Sequence, residues 1–511
     1  MPTHLAPGVF VEEVDSGSRP IEGVGTAVAA FVGIADKGPC NRPTLISNWK
    51  QFGSLFGGFG ADSYLAHAVY GYFLNGGGNC YVVRIGNEGQ LEPAKAQLNA
   101  TGDDQRPVAK YEVQALEAGV GAAGLSVEIA NEAPPESDQE SIKIVVKQGG
   151  AVVEEFGDLT TGKSKNVVTA VNRRSKLIKL IEVANVTATG LLTGEFELRS
   201  DPLPAAQPLV SADYVGDSAS RTGFGGLETV NDVTMVCVPD VMYAFEKGWL
   251  DAEGVRAVQH SMIAHCELMG NRVAILDPPP EMSPQGILDW RMNVAGYDSK
   301  FAALYWPWVK VSDPVKDANV FVPPSGHMAG IWGRNDDTRG VHKAPANEVV
   351  RGAISLASEL TSKEQELLNP EGINCIRSFP GRGVRVWGAR TISSDPGWRY
   401  LNVRRFFNYL EESILNGTQW VVFEPNDDAL WARMRRTISA FLVNEWRKGA
   451  LFGLTPDEGF YVKCDRETNP PEGIDAGEVV CEIGVAPVKP AEFVVFRLSQ
   501  FSGGAAVADL T

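Results

Sequence analysis

The chain has 511 residues, 44% of them hydrophobic and 21% charged, and a formal net charge of −17 at pH 7. This length predicts about three to four domains with ample hydrophobic core, and the acidic balance argues against nucleic-acid binding by bulk charge. The N-terminus lacks the basic-then-apolar shape of a signal peptide, and no apolar run is long enough to cross a membrane. The seven cysteines are scattered without a CxxC pair, which indicates a reduced, cytoplasmic chain.

An extended N-terminal arm is predicted over residues 1–25. Its apolar, strand-forming positions are Val9, Phe10, Val11 and Val14, and a Ser/Gly/Pro-rich tether, Asp15–Gly25, follows them. A strand on such a tether favours β-augmentation, in which an extended segment adds to the sheet edge of a neighbouring molecule. Pairing within the same chain is the alternative.

An α/β core is predicted over residues 26–86 and 222–375. Its first part contains two buried strands and two helices, namely Ala27–Ile34, Ser47–Phe56, Ser63–Leu74 and Cys80–Ile85. Its second part alternates strands with helices, namely Val233–Val238, Asp251–Met269, Arg272–Leu276, Ser283–Ala295 and Phe301–Tyr305. Such alternation predicts a parallel sheet that is covered on both faces.

Residues 87–221, between the two core segments, have a different composition. Short apolar runs such as Ser141–Val146, Val152–Phe156 and Leu177–Val183 lie between clusters of Gly, Asn, Asp and Thr. Because no helical period lasts through this stretch, it predicts an inserted all-β domain of the β-sandwich kind.

No catalytic or metal-binding set stands out. The histidines at 260, 265, 327 and 342 lack the serine-bearing motif of a hydrolase, and His260 and His265 are five residues apart, which is off the spacing of helical zinc ligands. Asp277, before three prolines, is expected to end a strand in a turn. In Gly340–Glu348 the His, Lys and Glu residues form a potential acid–base cluster, but the favoured interpretation is structural, with Asn347 capping a helix over Glu348–Leu356. No cofactor or metal is therefore predicted.

The C-terminal domain, residues 376–490, is predicted to contain two long amphipathic helices. The first runs from an N-cap at Asn402 to Leu415, with Asn416-Gly417 as its left-handed stop. A short strand, Thr418–Glu424, precedes the second helix, which is capped at Asp427 and runs to Lys448. One side of this second helix is expected to be buried through Leu430, Met434, Ile438 and Phe441.

The opposite side of the second helix carries a basic stripe. Its positions are Arg433, Arg436, Ala440, Val443 and Arg447, and no Asp or Glu occurs between Ala429 and Asn444. Solvated faces tend to mix charges of both signs, so this stripe is interpreted as a docking face for an acidic partner, with a solvated face as the alternative.

A strand-rich tail ends the chain. Gly459–Cys464 and Glu478–Val485 are predicted to pair as a hairpin, on which Cys464 and Cys481 are expected to be reduced thiols. A proline-rich break then leads to a C-terminal arm, residues 491–511. The apolar positions of its strand are Phe493, Val494, Val495, Phe496 and Leu498.

Several long stretches resemble contractile tail sheath proteins. They include PGVFVEEVDSGSRPIEGVGTAVAAFVG near the N-terminus and YWPWVKVSDP, VPPSGHMAGIWGRND and GVHKAPANEVVRGA in the centre. They also include GVRVWGARTISSDPGWRYLNVRRFFNYLEESI and GFYVKCDRETNPPEGIDAGEVVCEIGVAPVKPAEFVVFRLSQ near the C-terminus. The resemblance covers about Pro7–Arg84 and Phe224–Gln500 and leaves out Asn87–Arg221, which suggests that the inserted domain faces outward.

The resemblance implies a multidomain α/β protein with a subtilisin-like core and a structural, non-enzymatic function. Its subunits would form hexameric rings that stack helically around an inner tube, and contraction would drive the tube through a target envelope. The implied partners are further copies of the chain, the inner tube, and baseplate and terminal cap proteins, without direct nucleic-acid binding or membrane insertion. Assembly would occur in the cytoplasm, as part of a phage tail or a related contractile particle.

The resemblance also assigns roles to three surfaces. The hairpin would be completed by the N-terminal strand of one neighbour and the C-terminal strand of another, and the basic stripe would face an acidic band on the tube. A hydrolase on the subtilisin-like sheet and a soluble adaptor for an acidic partner are the alternatives.

Overall fold

The computed structural model describes residues 20–59, 63–86, 93–102, 106–118, 124–131, 141–162, 166–183, 188–199 and 208–497. The strands, in chain order, are β1 Ala29–Gly33, β2 Thr44–Ile46, β3 Cys80–Arg84, β4 Pro93–Gly102, β5 Pro107–Ala118, β6 Leu125–Asn131, β7 Ile142–Gln148, β8 Ala151–Leu159, β9 Ile178–Glu182, β10 Ala188–Leu191, β11 Gly194–Glu197, β12 Met235–Cys237, β13 Val273–Leu276, β14 Ala302–Trp306, β15 Val309–Asp313, β16 Ala318–Val322, β17 Ser355–Leu356, β18 Ile373–Phe379, β19 Gly383–Val386, β20 Phe460–Lys463 and β21 Glu482–Val485.

The α-helices are α1 Trp49–Phe56, α2 Leu65–Leu74, α3 Val167–Arg174, α4 Ser211–Val215, α5 Asp240–Glu246, α6 Ala252–Met269, α7 Pro284–Asp289, α8 Ser325–Arg339, α9 Ser362–Leu368, α10 Leu401–Gly417, α11 Asp428–Arg447, α12 Pro456–Gly459 and α13 Pro471–Asp475. Helix α7 continues as a wider π-helical turn over Trp290–Ala295, so the two together span the predicted helix.

The described part of the core forms one eight-stranded sheet in the order β19-β18-β14-β13-β12-β1-β3-β2. Its inner neighbours run parallel, and β2 and β19 add antiparallel edges. Alternate side chains of β1 enter two separate hydrophobic clusters, Ala30 and Val32 on one face and Ala29 and Phe31 on the other. Helix α6 covers the first face, whereas α2 and α8 cover the second. The prediction of a parallel sheet buried on both faces is confirmed.

The inserted segment forms two four-stranded antiparallel sheets, β10-β4-β5-β9 and β11-β6-β7-β8, within the described residues. Both sheets contribute to one hydrophobic cluster, to which the unpredicted helix α3 adds Val167 and Val171. The predicted end at residue 221 is wrong. Leu209 and Tyr214 belong to the cluster of the large sheet, and the Tyr214 hydroxyl donates to the Asp240 carbonyl at 3.0 Å. Residues 208–221 therefore pack with the core.

The predicted helix over Glu348–Leu356 is also wrong. Asn347 has a φ of 60°, its backbone N–H donates to the Val386 carbonyl, and Val350 N–H donates to the Val384 carbonyl. Backbone N–H groups that a helix would have paired internally therefore donate to the edge strand β19. Within the predicted helix, only the two residues of β17 belong to a helix or strand.

Helix α10 differs from its prediction at both ends. Asn402 lies inside the helix, where its Nδ2 donates to the carbonyls of His342 at 2.7 Å and Val488 at 3.1 Å, so it is not the cap. Gly417 is the last helical residue rather than a left-handed stop. A Cβ at this glycine would lie 2.6 Å from Ile21, so the glycine allows the N-terminal segment to pack closely.

The predicted strand Thr418–Glu424 does not form. Gln419–Val421 is a 3₁₀ turn instead, and Phe423 has a φ of 67°. Trp420 and Val421 turn inward against the cluster beneath α11, which favours a compact turn over an extended strand. Helix α11 itself is confirmed. The Asp427 carboxylate accepts from the Leu430 N–H at 2.8 Å, and the four predicted apolar positions are buried.

Candidate assembly surfaces

The C-terminal hairpin is confirmed, with shorter strands than predicted. Strands β20 and β21 pair antiparallel, with Phe460 opposite Val485 and Lys463 opposite Glu482. Helix α11 packs beneath them through a cluster that includes Phe441. Within the described residues this sheet has only two strands, so each strand has one edge without a ladder partner. Such edges are the surfaces to which a further strand can add.

The C-terminal arm, which follows this hairpin in the chain, is exposed to solvent. Phe493, Val494, Val495 and Phe496 are 74%, 68%, 79% and 84% exposed and belong to no strand or helix of this subunit. Four consecutive apolar side chains at this exposure form a surface that a soluble protein ordinarily covers. Leu498, the last predicted position of the arm, lies outside the described residues.

The root of the arm is held by a clamp, defined here as Arg390, Asn369 and Tyr400 around Glu492. Arg390 donates from Nε to Glu492 Oε1 at 2.9 Å and from Nη2 to Oε2 at 2.6 Å. Asn369 Nδ2 donates to Oε1 at 2.8 Å, and the Tyr400 hydroxyl contacts Oε2 at 3.4 Å. Burial alone would raise the pKa of Glu492, but hydrogen bonds from Arg390 and Asn369 outweigh burial and hold that pKa below its usual value.

Sequence reasoning missed this clamp. Its one local signal is the position of Glu492, a lone acid between a proline-rich break and an apolar strand. Glu492 is turned into the protein while the apolar side chains that follow it are exposed to solvent. This is the reverse of the usual arrangement, in which charged residues are exposed and apolar residues are buried.

The strand residues of the N-terminal arm, Val9, Phe10, Val11 and Val14, lie outside the described residues. Part of the predicted tether Asp15–Gly25, however, is fixed in place. Ile21 is 8% exposed within the cluster around α10, and the Val24 N–H donates to Ser413 Oγ at 3.1 Å. Ile21 and Val24 are therefore packed against this subunit, so this part of the predicted tether is not free.

The basic stripe is exposed, but its three arginines are not equivalent. Arg433 donates to Glu424 at 2.7 Å and stacks over the Trp420 ring, so its charge is partly compensated within the subunit. Arg436 and Arg447 are exposed and make no ion pair within the described residues. A tube-facing role for the stripe thus depends mainly on the latter two.

The residues considered for catalysis serve structural contacts. Asp277 follows β13 and accepts from the backbone N–H and the hydroxyl of Ser325, at 2.9 and 2.5 Å, so it caps α8 from a neighbouring strand. Burial raises the pKa of Asp277 to about 7. His265 contacts the buried Arg272 at 3.2 Å, and burial with this cation lowers the pKa of His265 to about 4. Ser325 is fully buried, so its hydroxyl is closed to a substrate.

Two further expectations concern metals and membranes. His260 is exposed whereas His265 and Cys266 are buried, so these three side chains do not converge. Among the described residues, no three His, Cys, Asp or Glu side chains are grouped as metal ligands. In the same part of the chain, no helix combines the length and the apolar character that crossing a bilayer requires. Lys343 lies 3.6 Å from Glu348 and donates to the Ala346 carbonyl at 3.0 Å, and Glu348 also lies 3.7 Å from Arg334, so both members of the predicted acid–base cluster are engaged in structural contacts.

Comparison with known proteins identifies two sheath domains. Residues 236–392 match the phage tail sheath protein central domain, and residues 393–501 match the phage tail sheath C-terminal domain. The tail sheath protein of Burkholderia phage BcepMu is 25% identical over 521 aligned residues, which cover 96% of this chain and 95% of that protein. The tail sheath protein of Vibrio phage KVP40 is 29% identical over 202 residues, 39% of this chain and only 29% of the phage protein.

Solved structures share the fold over nearly the whole chain. The contracted helical sheath of the anti-feeding prophage has a TM-score of 0.59 at 24% identity and covers 98% of this chain and 100% of its own. A chain of the anti-feeding prophage baseplate, with six-fold symmetry, has a TM-score of 0.57 at 23% identity, with coverage of 98% and 100%. The molecule is therefore a structural protein of the sheath class. It belongs to the contractile tail sheath family, whose members build phage tails and contractile injection systems.

Proposed function

We propose that this chain polymerises as stacked hexameric rings around an inner tube and that contraction of the polymer drives the tube through a target envelope. The observation that carries the proposal is the exposed apolar arm, Phe493–Phe496, together with a two-stranded sheet whose outer edges are unpaired within the described residues. An unpaired sheet edge can accept a further strand, and the exposed apolar arm requires a surface that covers it. β-Augmentation between subunits would meet both requirements.

The remaining parts of the proposal follow from this arrangement. The N-terminal strand would pair at the same sheet in another subunit, and Arg436 and Arg447, with Arg433, would face an acidic band on the tube. Baseplate and terminal cap proteins would end the polymer, and assembly would take place in the cytoplasm. We also propose that the core has subtilisin-like topology and that the inserted β domain faces outward.

Enzymatic activity is not part of this proposal. The best serine–acid pair, Ser325 and Asp277, is buried and committed to capping α8, which disfavours a hydrolase. The work of contraction would come from the free-energy difference between two packings of the same subunits, with no nucleotide or metal required.

The test removes the ability of an arm to donate its strand. Val495→Pro deletes a ladder donor and should leave a folded, soluble subunit that does not polymerise, and so should removal of Met1–Ser16. Val495→Thr is the matched control, because it keeps the backbone N–H and a β-branched side chain and should still assemble. Circular dichroism reports folding, and electron microscopy with sedimentation reports assembly. Normal cylinders from Val495→Pro or from the truncated chain would contradict the proposed strand exchange.

A further inference from the structure

A basic cavity lies where the core, both long C-terminal helices and the root of the C-terminal arm meet. Its volume is about 620 Å³, and its lining contains no Asp or Glu. The basic cavity is defined by five side chains, namely Arg339, His342, Lys343, Lys448 and Lys489. In a protein with a net charge of −17, such a concentration of basic groups favours an acidic ligand.

The charges around the basic cavity are only partly compensated by the subunit itself. Lys448 pairs with Glu445 at 2.7 Å, and Lys343 lies 3.6 Å from Glu348. Arg339 and Lys489 are exposed, and no described acid lies within ion-pair distance of either. These two residues therefore leave an uncompensated positive charge at the rim.

Asn402 adds information about the kind of ligand. It lines the basic cavity and is 2% exposed, and its Nδ2 is engaged by two carbonyl groups. Its Oδ1 is buried and has no hydrogen-bond partner in the described structure. An unpaired buried acceptor requires a donor. An acidic peptide supplies both the backbone N–H groups that this oxygen lacks and the carboxylates that the basic side chains attract, so the combination favours an acidic peptide.

We propose that the basic cavity binds the acidic run Glu12-Glu13-Val14-Asp15 of the N-terminal arm of a neighbouring copy. This inference rests on the proposed self-assembly and names the contact that fixes the arm. The run places three acids in four residues, and on an extended chain Glu13 and Asp15 share one face about 7 Å apart. The cavity wall at Val488 follows directly after the hairpin strand β21, so an arm that pairs with the hairpin passes beside the cavity.

The path of the N-terminal segment explains why a neighbour supplies the ligand. From Thr26, whose carbonyl accepts from Arg405, the chain runs backward along α10 to Ile21, which packs against Gly417. At Ile21 the chain therefore lies at the C-terminal end of α10, whereas the basic cavity lies at the N-terminal end, about 22 Å away. The eight residues from Ile21 to Glu13 span about 26–29 Å at full extension, so the subunit's own arm would have to run straight back, nearly fully extended.

Charge reversal with rescue tests the contact in the full-length chain. Arg339→Glu with Lys489→Glu should raise the critical concentration for polymerisation about tenfold, which is the loss expected from two or three partly exposed ion pairs. Lys50→Glu with Lys363→Glu makes the same change of charge at exposed sites away from the cavity and should polymerise like wild type. Adding Glu12→Lys, Glu13→Lys and Asp15→Lys to the reversed cavity should restore assembly. Circular dichroism checks that each variant is folded.

The outcomes separate the two claims. A wild-type chain that forms no cylinders would contradict the proposed function. If wild type forms cylinders and the cavity variant Arg339→Glu, Lys489→Glu assembles equally well, the inference alone is overturned. The same holds if this variant fails to assemble and the three lysine substitutions in the arm do not restore assembly. Oxidation of a Glu13→Cys, Lys489→Cys variant distinguishes the source of the arm. A ladder of covalent oligomers supports binding in trans, and a cross-link within one chain overturns it.

Discussion

Glu492→Gln would test whether the clamp holds the C-terminal arm at its root. The substitution keeps the shape of the side chain but removes the charge that Arg390 and Asn369 contact, and it leaves the 8%-exposed Arg390 without a counter-ion. Hydrogen bonds to charged groups contribute about 1.5–3 kcal/mol each, and breaking a fully buried pair costs about 3–5 kcal/mol. Because Glu492 is 19% exposed, we expect a loss of about 2–4 kcal/mol in the docking of the arm root.

This loss should be local. Residues 487–492 are the last packed residues that the structure describes, so we expect their release to open the arm root without opening the sheets. A loss of about 2–4 kcal/mol corresponds to amide hydrogen exchange about 30- to 1,000-fold faster in a peptide that spans the clamp. The midpoint of thermal unfolding should stay unchanged. Glu366→Gln, at an exposed position, is the matched control. Unaltered exchange around Glu492 would refute the clamp, and a large fall in the unfolding midpoint would show that it supports the whole fold.

Three further predictions concern the contact with the tube, the inserted domain and the dependence of stability on pH. Arg436→Glu with Arg447→Glu should give sheaths that do not stay extended on tubes, because repeated ion pairs are reversed on every subunit. Normal tube-filled particles in the microscope would contradict this prediction. Replacing residues 87–207 with a short Gly/Ser linker should leave a protein that still forms polymers in sedimentation, since Ile85 and Leu209 at the two junctions belong to one hydrophobic cluster. If the shortened protein folds but no longer assembles, the inserted domain makes an essential contact. Burial lowers the pKa of His327 to about 4, so the unfolded chain binds a proton between pH 6.5 and 4 that the folded chain does not. As the pH falls from 6.5 to 4, the free energy of unfolding of His327→Gln, measured with urea, should therefore rise by about 3 kcal/mol relative to that of wild type. A difference between the two proteins that does not change with pH would refute the lowered pKa of His327.

The sequence predicted the elements whose pattern is local. The central strands are continuous apolar runs, and α6 and α11 begin at aspartates that cap them, Asp251 and Asp427, so both kinds of element were recognisable without tertiary information. The hairpin was predicted for the same reason, since alternating or continuous apolar residues bounded by turn residues suffice to indicate strands. The strand of the C-terminal arm stays a prediction, because Phe493–Phe496 belong to no strand of this subunit.

The errors arose where distant residues decide the local structure. Asn402 was expected to cap a helix but instead binds carbonyls 60 and 86 residues away in the chain. The start of α2 depends on Asp240, which accepts from the N–H groups of Tyr64 and Leu65. The clamp and the basic cavity are likewise assembled from residues far apart in sequence, and a single sequence contains no signal for such convergence.

The path of the chain along α10 has a consequence for how load passes through the polymer. The N-terminal segment leaves at one end of this helix and the arm root, through Val488 and Glu492, leaves at the other, about 25 Å apart. Within this subunit the two arms are therefore joined along α10, and also through the large sheet, because the N-terminal segment continues into β1 and the Arg390 carbonyl accepts from Asn374 on β18. If neighbouring subunits hold both arms, we expect the distance between these two attachment points to change little while the subunits turn. The inserted domain lies between β3 and α4, away from both attachment points in the chain, so we expect that it can differ in size without changing this distance.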